Sequence, residues 1–534
     1  MLKDYLNRLS QWLMQRQTTT APHSDASKAS STLDASLDEK IKQLKSTIGQ
    51  SNDIIYREFT FGPGHDTRAE LIYIDGLVNT KLINECIIEP LMYRSQRVPI
   101  NKTGASLTLD NIKNSLVTVG EVAQKEDLDG VIDSVLSGDT VLFVDGILQA
   151  LSMSTRGWEK RSVDEPGNET VIKGPREGFT ESIRTNTSLL RRKMRTPKLT
   201  FESMMAGRKT RTTIMICYID GLADEAVIKD VRSRLQKINT DSMLSAGTLE
   251  SLITGNPYSP FTTINYSEKP DVVAGRMLEG RVAILIDGSP FVLTAPMFFF
   301  ESFQTAEDYY INYFFASFLR LIRYFSFTIS ILAPAVYVAL TTFHQELIPT
   351  TLLYSMTVAR EGVPFTSAME ALIMLIAFEV IREAGIRLPR PVGQAISIVG
   401  ALVMGQSAVS AGLVSAPLVI VVAITAVANF VVPTQADAAT LIRFMLLLLA
   451  AWMGGVGIIT GLLIMLLHLS SIKSFGVPFL SPYAPLQPSD LKDSFVRAPL
   501  WMMIRRPVRL APEDKKRNDV KAPGQSGANT SPEG

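Results

Sequence analysis

VIDSVLSGDTVLFVDG, residues 131–146, aligns without a gap against VAGRMLEGRVAILIDG, residues 273–288. Working back from it, LIYIDGLVN (71–79) matches ICYIDGLAD (216–224). The first pair sets Asp145 against Asp287 (287 − 145 = 142) and the second sets Asp75 against Asp220 (220 − 75 = 145). Two markers at nearly one offset predict two copies of one unit, at 53–160 and 200–317. Each first marker is an apolar, β-branched run ending in Asp-Gly, which reads as a strand closed by a turn. A helix is expected to start after Asn79 and after Asp224, because their side-chain oxygens accept orphan backbone N–H bonds. The second marker of the second copy, strand–Asp287–Gly288–strand, is a hairpin signal, both turn residues having to tolerate positive φ. The expected fold class is therefore an α/β domain of two small duplicated α/β units.

Beyond the second copy the chain changes character. From Phe318 to Leu469 apolar runs dominate, and a helix needs about 20 such residues to cross hydrocarbon. The expected membrane domain, 318–470, is α-helical and polytopic, with segments at about 324–343, 366–385, 393–411, 414–432 and 441–469. Arg320 and Arg323 before the first segment, and Arg382, Arg387 and Arg390 closing the second, place both of those ends on the cytoplasmic side. The stretch 441–469 reads as one emphatic crossing. Counting 392–432 as two spans would then export a tail carrying Lys473, Lys492, Arg497, Arg505, Arg506 and Arg509, so four full crossings are expected and one half of that segment is not a full span. The weaker half is VGQAISIVGALVMGQSAVSAG, where glycines alternate with polar residues. Polar backbone is tolerated at membrane depth only when protein or water covers it. The pore-lining candidates are Gln394, Ser397, Val399, Val403, Gln406, Ser407, Ala408 and Ser410, with small-residue helix packing as the alternative.

Two acids, Glu370 and Glu379, fall inside the second segment, where an ionised carboxylate costs a few kcal/mol. They are nine residues apart, about 900° of helical turn at 100° each, so they occupy opposite faces. Glu379 has Arg382 and Glu383 one turn on and suits an ion pair between helices. Glu370 has no cation at helical spacing and is the better candidate for attracting ions.

The bulk composition narrows the function classes. With 53 basic and 52 acidic residues the net charge is +1, which gives no electrostatic reason to expect nucleic acid. Two cysteines and four histidines, scattered, make neither a disulfide framework nor a zinc site. No cofactor is implied, and no phosphate loop or nucleophile–base pair points to an enzyme. Four Asp-Gly pairs that close predicted strands (Asp75–Gly76, Asp145–Gly146, Asp220–Gly221, Asp287–Gly288) are read as structural turns. Residues 1–16 read as an amphipathic helix rather than a secretory signal, and 17–52 as a flexible linker. The basic segment 161–199, with Arg176, Arg184, Arg191, Arg192, Lys193, Arg195 and Lys198, lacks aromatic residues for base stacking and suits cohesion between units through Arg–carboxylate pairs. Residues 471–534 read as a basic, disordered cytoplasmic tail.

Six stretches carry a family resemblance: GPREGFTESIRTNTSLLRR (174–192), PFVLTAPMFFFESFQTAEDYY (290–310), LAPAVYVALTTFHQELIPTTLL (332–353), AREGVPF (359–365), EVIREAGIRLPRPVGQAISIVGALVMGQSAVSAG (379–412) and SAPLVIVVAITAVANF (415–430). In this order they resemble the A subunit of GerA-type spore germinant receptors. Gln406 stands where some members of that family carry an acid. The resemblance implies a multi-pass protein of the inner spore membrane with its N-terminal domain on the cytoplasmic, spore-core side. It also implies lipid contact, homo-oligomerisation, a transporter-like B subunit and a lipoprotein C subunit as partners, and an oligomeric channel role coupling nutrient sensing to ion release. The alternative function is a transporter-like membrane protein with a cytoplasmic regulatory domain.

Overall fold

The computed structural model describes residues 36–49, 51–62, 65–95, 109–157, 166, 169, 171–387, 405–511 and 516–517. The first unit runs α1 (Leu37–Ile48), β1 (Ile54–Phe61), β2 (Thr67–Ile74), α2 (Thr80–Ile83, continued in wider turns to Arg94), α3 (Leu109–Asn111), β3 (Val122–Lys125), α4 (Leu128–Leu136), β4 (Thr140–Val144) and β5 (Ala150–Met153). The second repeats it element for element: α5 (Ile183–Lys193), β6 (Leu199–Ala206), β7 (Thr212–Ile219), α6 (Glu225–Gln236), α7 (Ala246–Ile253), β8 (Asn265–Ser267), α8 (Pro270–Met277), β9 (Val282–Ile286) and β10 (Val292–Ala295). Both sheets are antiparallel, ordered β1-β2-β4-β5-β3 and β6-β7-β9-β10-β8. Ile54 pairs with Ile74 and Leu199 with Ile219, so the edge hairpins share one register at an offset of 145 (199 − 54).

Each unit is a three-layer sandwich because its central strand is apolar on both faces. In β4, Val141 and Phe143 face α1 and α4, while Leu142 and Val144 face α2 and α3. In β9, Val282, Ile284 and Ile286 pack against α6 and α7, and Ala283 and Leu285 against α5 and α8. Asn79 caps α2 through Lys81 N (3.0 Å), and Asp224 caps α6 through Ala226 N (2.8 Å). Between β9 and β10 the loop is longer than two residues, and Gly288, not Asp287, takes the positive φ, at 83°.

Three boundary expectations need correction. The linker 17–52 ends in a helix: α1 buries Leu37, Ile41, Leu44 and Ile48 along one stripe. That helix belongs to the repeat. Ser36 caps α1 and Ser182 caps α5. Asp145 Oδ1 accepts from Leu37 N (3.3 Å) just as Asp287 Oδ1 accepts from Ile183 N (3.2 Å). Each unit therefore begins one helix earlier than 53 and 200. The tail is also folded as far as Ala511. Phe475, Val477 and Leu510 sit in the core of the second unit and Phe479 in the core beneath it. A short hairpin, β11 (Lys473–Ser474) with β12 (Val477–Pro478), fixes the return.

The helical part comprises α9 (Tyr313–Thr342), α10 (Thr350–Arg360), α11 (Ser367–Arg387), α12 (Ala416–Phe430) and α13 (Ala436–Ser471). Among the described residues two apolar helical stretches, Tyr313–Thr342 and Pro433–Ser471, are long enough to cross a membrane. The second is not one rod. Straight, its 36 residues would span about 54 Å. Yet Gln435 at its start bonds Thr262 O (3.2 Å), and His468 at its end bonds Ser259 Oγ (3.0 Å). Both ends thus return to one loop of the second unit. The turn is at Gly454, φ 59° and ψ −136°, lying against Phe343 at the far end of α9. A Cβ on Gly457 would stand 2.1 Å from Leu449 O, and one on Gly461 2.5 Å from Leu446 Cδ2. Small residues let the two arms approach. The expected single crossing at 441–469 is therefore an antiparallel helical hairpin, with Ile442, Leu446, Ala450 and Ile458 in one cluster.

The amphipathic helix expected at 1–16, Gln394, Ser397, Val399, Val403 and the tail beyond Arg517 lie outside the described residues.

Candidate functional site

Where α10, α11 and α12 meet, the first turn of α11 places Glu370 fully inside the bundle. Its Oε2 accepts from Ser415 N (3.0 Å) and Ser415 Oγ (2.9 Å). Ser415 precedes the first turn of α12 and makes no side-chain cap of its own. The carboxylate thus satisfies an orphan N–H and meets the positive end of the helix dipole. Arg360 Nη2 lies 3.3 Å from the other oxygen, Oε1. Glu370 has no cation at helical spacing, as expected, yet it is paired through the fold. Its partner comes from α10, outside any i,i+3 or i,i+4 relation, so helical spacing could not reveal it. Tyr337 on α9 closes the site with its hydroxyl 3.3 Å from Ser415 Oγ.

Glu379, on the opposite face of α11, meets Arg382 (2.8 Å) on its own helix and Arg443 (2.5 Å) on α13. Arg443 is fully buried and was not singled out from the sequence, although a lone arginine in LIRFMLLLLAAW was a usable signal. Nε and Nη1 of Arg443 have no hydrogen-bond partner. The two acids bind α11 to different neighbours: Glu370 at the end near Tyr337, Glu379 at the end near the soluble units.

Of the remaining pore-lining candidates, Gln406, Ser407 and Ser410 are exposed and Ala408 is half-buried on a short helix at 405–410. Gly405 anchors it against α12, where a Cβ would crowd Val419 Cγ1 at 3.3 Å. The side chains of Gln406, Ser407 and Ser410 thus form a polar edge left uncovered by the bundle.

The Asp-Gly turns lie far from this region. Gly76, Gly146, Gly221 and Gly288 take φ of 86°, 78°, 71° and 83°, where only glycine is unstrained. Asp75 pairs with Arg184, Asp145 and Asp287 hold helix starts, and Asp220 N donates to Lys198 O (2.8 Å). Among the described residues no group of three or more His, Cys, Asp or Glu could hold a metal.

A second polar cluster joins the soluble and helical parts. Arg320, fully buried in α9, donates to Asp308 Oδ2 (2.9 Å), Asp493 Oδ1 (2.7 Å) and Asp493 O (2.7 Å). Arg323 meets Asp308 at 2.9 Å, and Arg497 donates to Ile311 O (2.9 Å). Tyr309 donates to Asp493 Oδ2 (2.7 Å), and burial raises the phenol's pKa well above its ordinary value. Those arginines, read from sequence only as orientation markers, tie α9 to the returning tail. Between the two units, Arg191 makes a two-point bond to Asp53 (2.7 and 2.9 Å) and a third to Ser51 Oγ (3.0 Å), both charges buried.

Residues 42–509 match the model described as Bacillus/Clostridium GerA spore germination protein. The chain is 46% identical over 484 residues to Spore germination protein KA of Bacillus subtilis (strain 168), covering 90% of this chain and 88% of that one. It is 42% identical over 474 residues to the Uncharacterized membrane protein YfkQ of the same organism, covering 88% and 90%. Spore germination protein GerLA of Bacillus cereus is 38% identical over 484 residues, covering 90% and 97%. Among solved structures, the N-terminal domain of the A subunit of the Bacillus megaterium spore germinant receptor GerK3 covers 51% of this chain and 99% of its own, at 37% identity and a TM-score of 0.41. A matched stretch running through both α/β units, the helical bundle and the returning tail makes this chain a member of the GerA spore germination protein family, of the A-subunit type.

Proposed function

We propose that the chain is the A subunit of a nutrient germinant receptor in the inner spore membrane, with its soluble units on the cytoplasmic side, and that several copies form a channel releasing ions when the receptor is occupied. The supporting observation is the outward polar edge of Gln406, Ser407 and Ser410 beside a bundle whose acids are already paired. Exposed polar side chains beside apolar helices need water or another polar surface. In a ring of copies those edges converge on an aqueous path. Glu370 and Glu379 then act as ties that hold the path's walls rather than as ion ligands. A transporter-like B subunit and a lipoprotein C subunit complete the receptor, and ligand occupancy shifts a closed–open equilibrium by its differential affinity for the two states.

The test is an ion-flux scan in liposomes carrying the assembled receptor. Ser407→Glu and Ala408→Arg, and substitutions of Val399 and Val403, should change the rate or selectivity of potassium release while assembly persists. A scan of 393–411 that leaves flux unchanged at every position would defeat the channel reading.

A further inference from the structure

Two adjoining cavities, of about 270 and about 320 Å³, lie where the second unit meets the helical part and the tail. They share Val272, Arg276, Glu301, Gln304, Thr305 and Ala306. Leu500 and Arg517 of the tail close one, and Arg323, Val431 and Pro433 of the helical part close the other. At their common wall stands Arg276. Its Nη1 donates to Thr294 Oγ1 (3.0 Å), and among the described residues it has no carboxylate within ion-pair distance. Of the nearby acids, Glu301 lies on the same wall with its Oε2 unpartnered, and Asp271 lines the first cavity with its Oδ1 unpartnered. Arg281 bridges Glu279 and Glu301, and Arg517 adds a second contact to Glu279 at 3.3 Å. Glu169, across the second cavity, accepts from Ser267 Oγ (2.6 Å), and burial raises its pKa toward the neutral form. Burial also lowers the Arg276 pKa, so its charge is held at a cost that a bound anion would offset.

A second observation is independent of charge. Gly275, beside Arg276 in the middle of α8, lines the first cavity, and a Cβ built there meets nothing within 4 Å. Its φ is not in the left-handed region, so backbone conformation does not require glycine. Glycine inside a helix is disfavoured relative to alanine.

We propose that this double cleft binds a small organic carboxylate, with the Arg276 guanidinium gripping the carboxylate and the Gly275 face admitting its body. A guanidinium matches a carboxylate in shape and charge. The carboxylates of Glu279 and Glu301 nearby disfavour a dianion such as phosphate. The bound molecule would touch the second unit, the tail and the turn between α12 and α13 together, a place from which occupancy can bias the bundle.

The experiment is ligand-observed NMR on the full-length chain in detergent, with acetate, glycine and benzoate as probes and benzamide as the uncharged control. At least one carboxylate should bind saturably and benzamide should not. Arg276→Met should weaken binding at least tenfold. Gly275→Leu should abolish it with no fall in melting temperature, which separates a filled cleft from a misfolded one. No saturable carboxylate binding, equal binding of benzamide, or binding unchanged in Arg276→Met would each overturn the proposal. The readout involves no ion flux, so its failure and that of the channel reading are distinguishable.

Discussion

At Arg191 and Asp53 the chain buries opposite charges between its two units, with Ser51 and the face of Phe201 (5.0 Å) completing the site. Removing one partner of such a pair leaves an uncompensated buried charge. Asp53→Ala should therefore destabilise the soluble part by about 3–5 kcal/mol, and the double change Asp53→Leu, Arg191→Met by much less, read as melting temperature. A second residue-scale prediction concerns Glu250 on α7, whose pKa burial pushes from 4.5 up to about 7. Below pH 4.5 both folded and unfolded chains carry it neutral. Between 4.5 and about 7 only the unfolded chain loses the proton, so its contribution to stability is lost as pH rises through that window. Glu250→Gln should remove that slope and stabilise the protein at pH 8 by about 1–2 kcal/mol, allowing for partial exposure, in a pH series of melting curves. The basic segment announced Arg191 as a cohesive residue, whereas Asp53 was invisible as its partner because 138 residues separate them.

Elements were read best where a local signal sufficed. Asn79 and Asp224 start helices because a cap needs only its own next three residues. The serine- and threonine-rich stretch before α1 reads as a linker through residue 52, although the stripe of Leu37, Ile41, Leu44 and Ile48 has helical spacing. The doubling of α13 is the opposite case. Nothing in an uninterrupted apolar run says where it turns, and Gly454–Gly455 is as compatible with packing as with reversal. Its test is a distance between spin labels at the exposed positions Leu441 and Leu467. One continuous helix would separate them by about 39 Å, and the hairpin by roughly the 8–10 Å between packed helices plus the label tethers. Gly454→Val, whose Cβ would lie 2.8 Å from Phe343 at a φ only glycine tolerates, should block the turn and leave little folded protein in a detergent extraction assay.

For the whole molecule, the returning tail is what makes the soluble and helical parts one body. Phe475 enters the second unit's core under the guanidinium of Arg234 (4.3 Å), and Asp493 receives Arg320. Phe475→Ala should cost about 3–5 kcal/mol, and a chain stopped before Ile472 should not accumulate as folded protein, checked by size-exclusion profile and melting temperature. By itself the sequence determined the duplication, the strand–turn–helix order inside each unit and the presence of an apolar helical part, because these rest on repeat offset, period and cap chemistry between near neighbours. Only the tertiary structure decided that α13 reverses, that Glu370 is paired with Arg360, and that the tail is core. Each of those joins residues far apart in sequence, and no spacing rule reports which buried charge or apolar face another segment will return to cover.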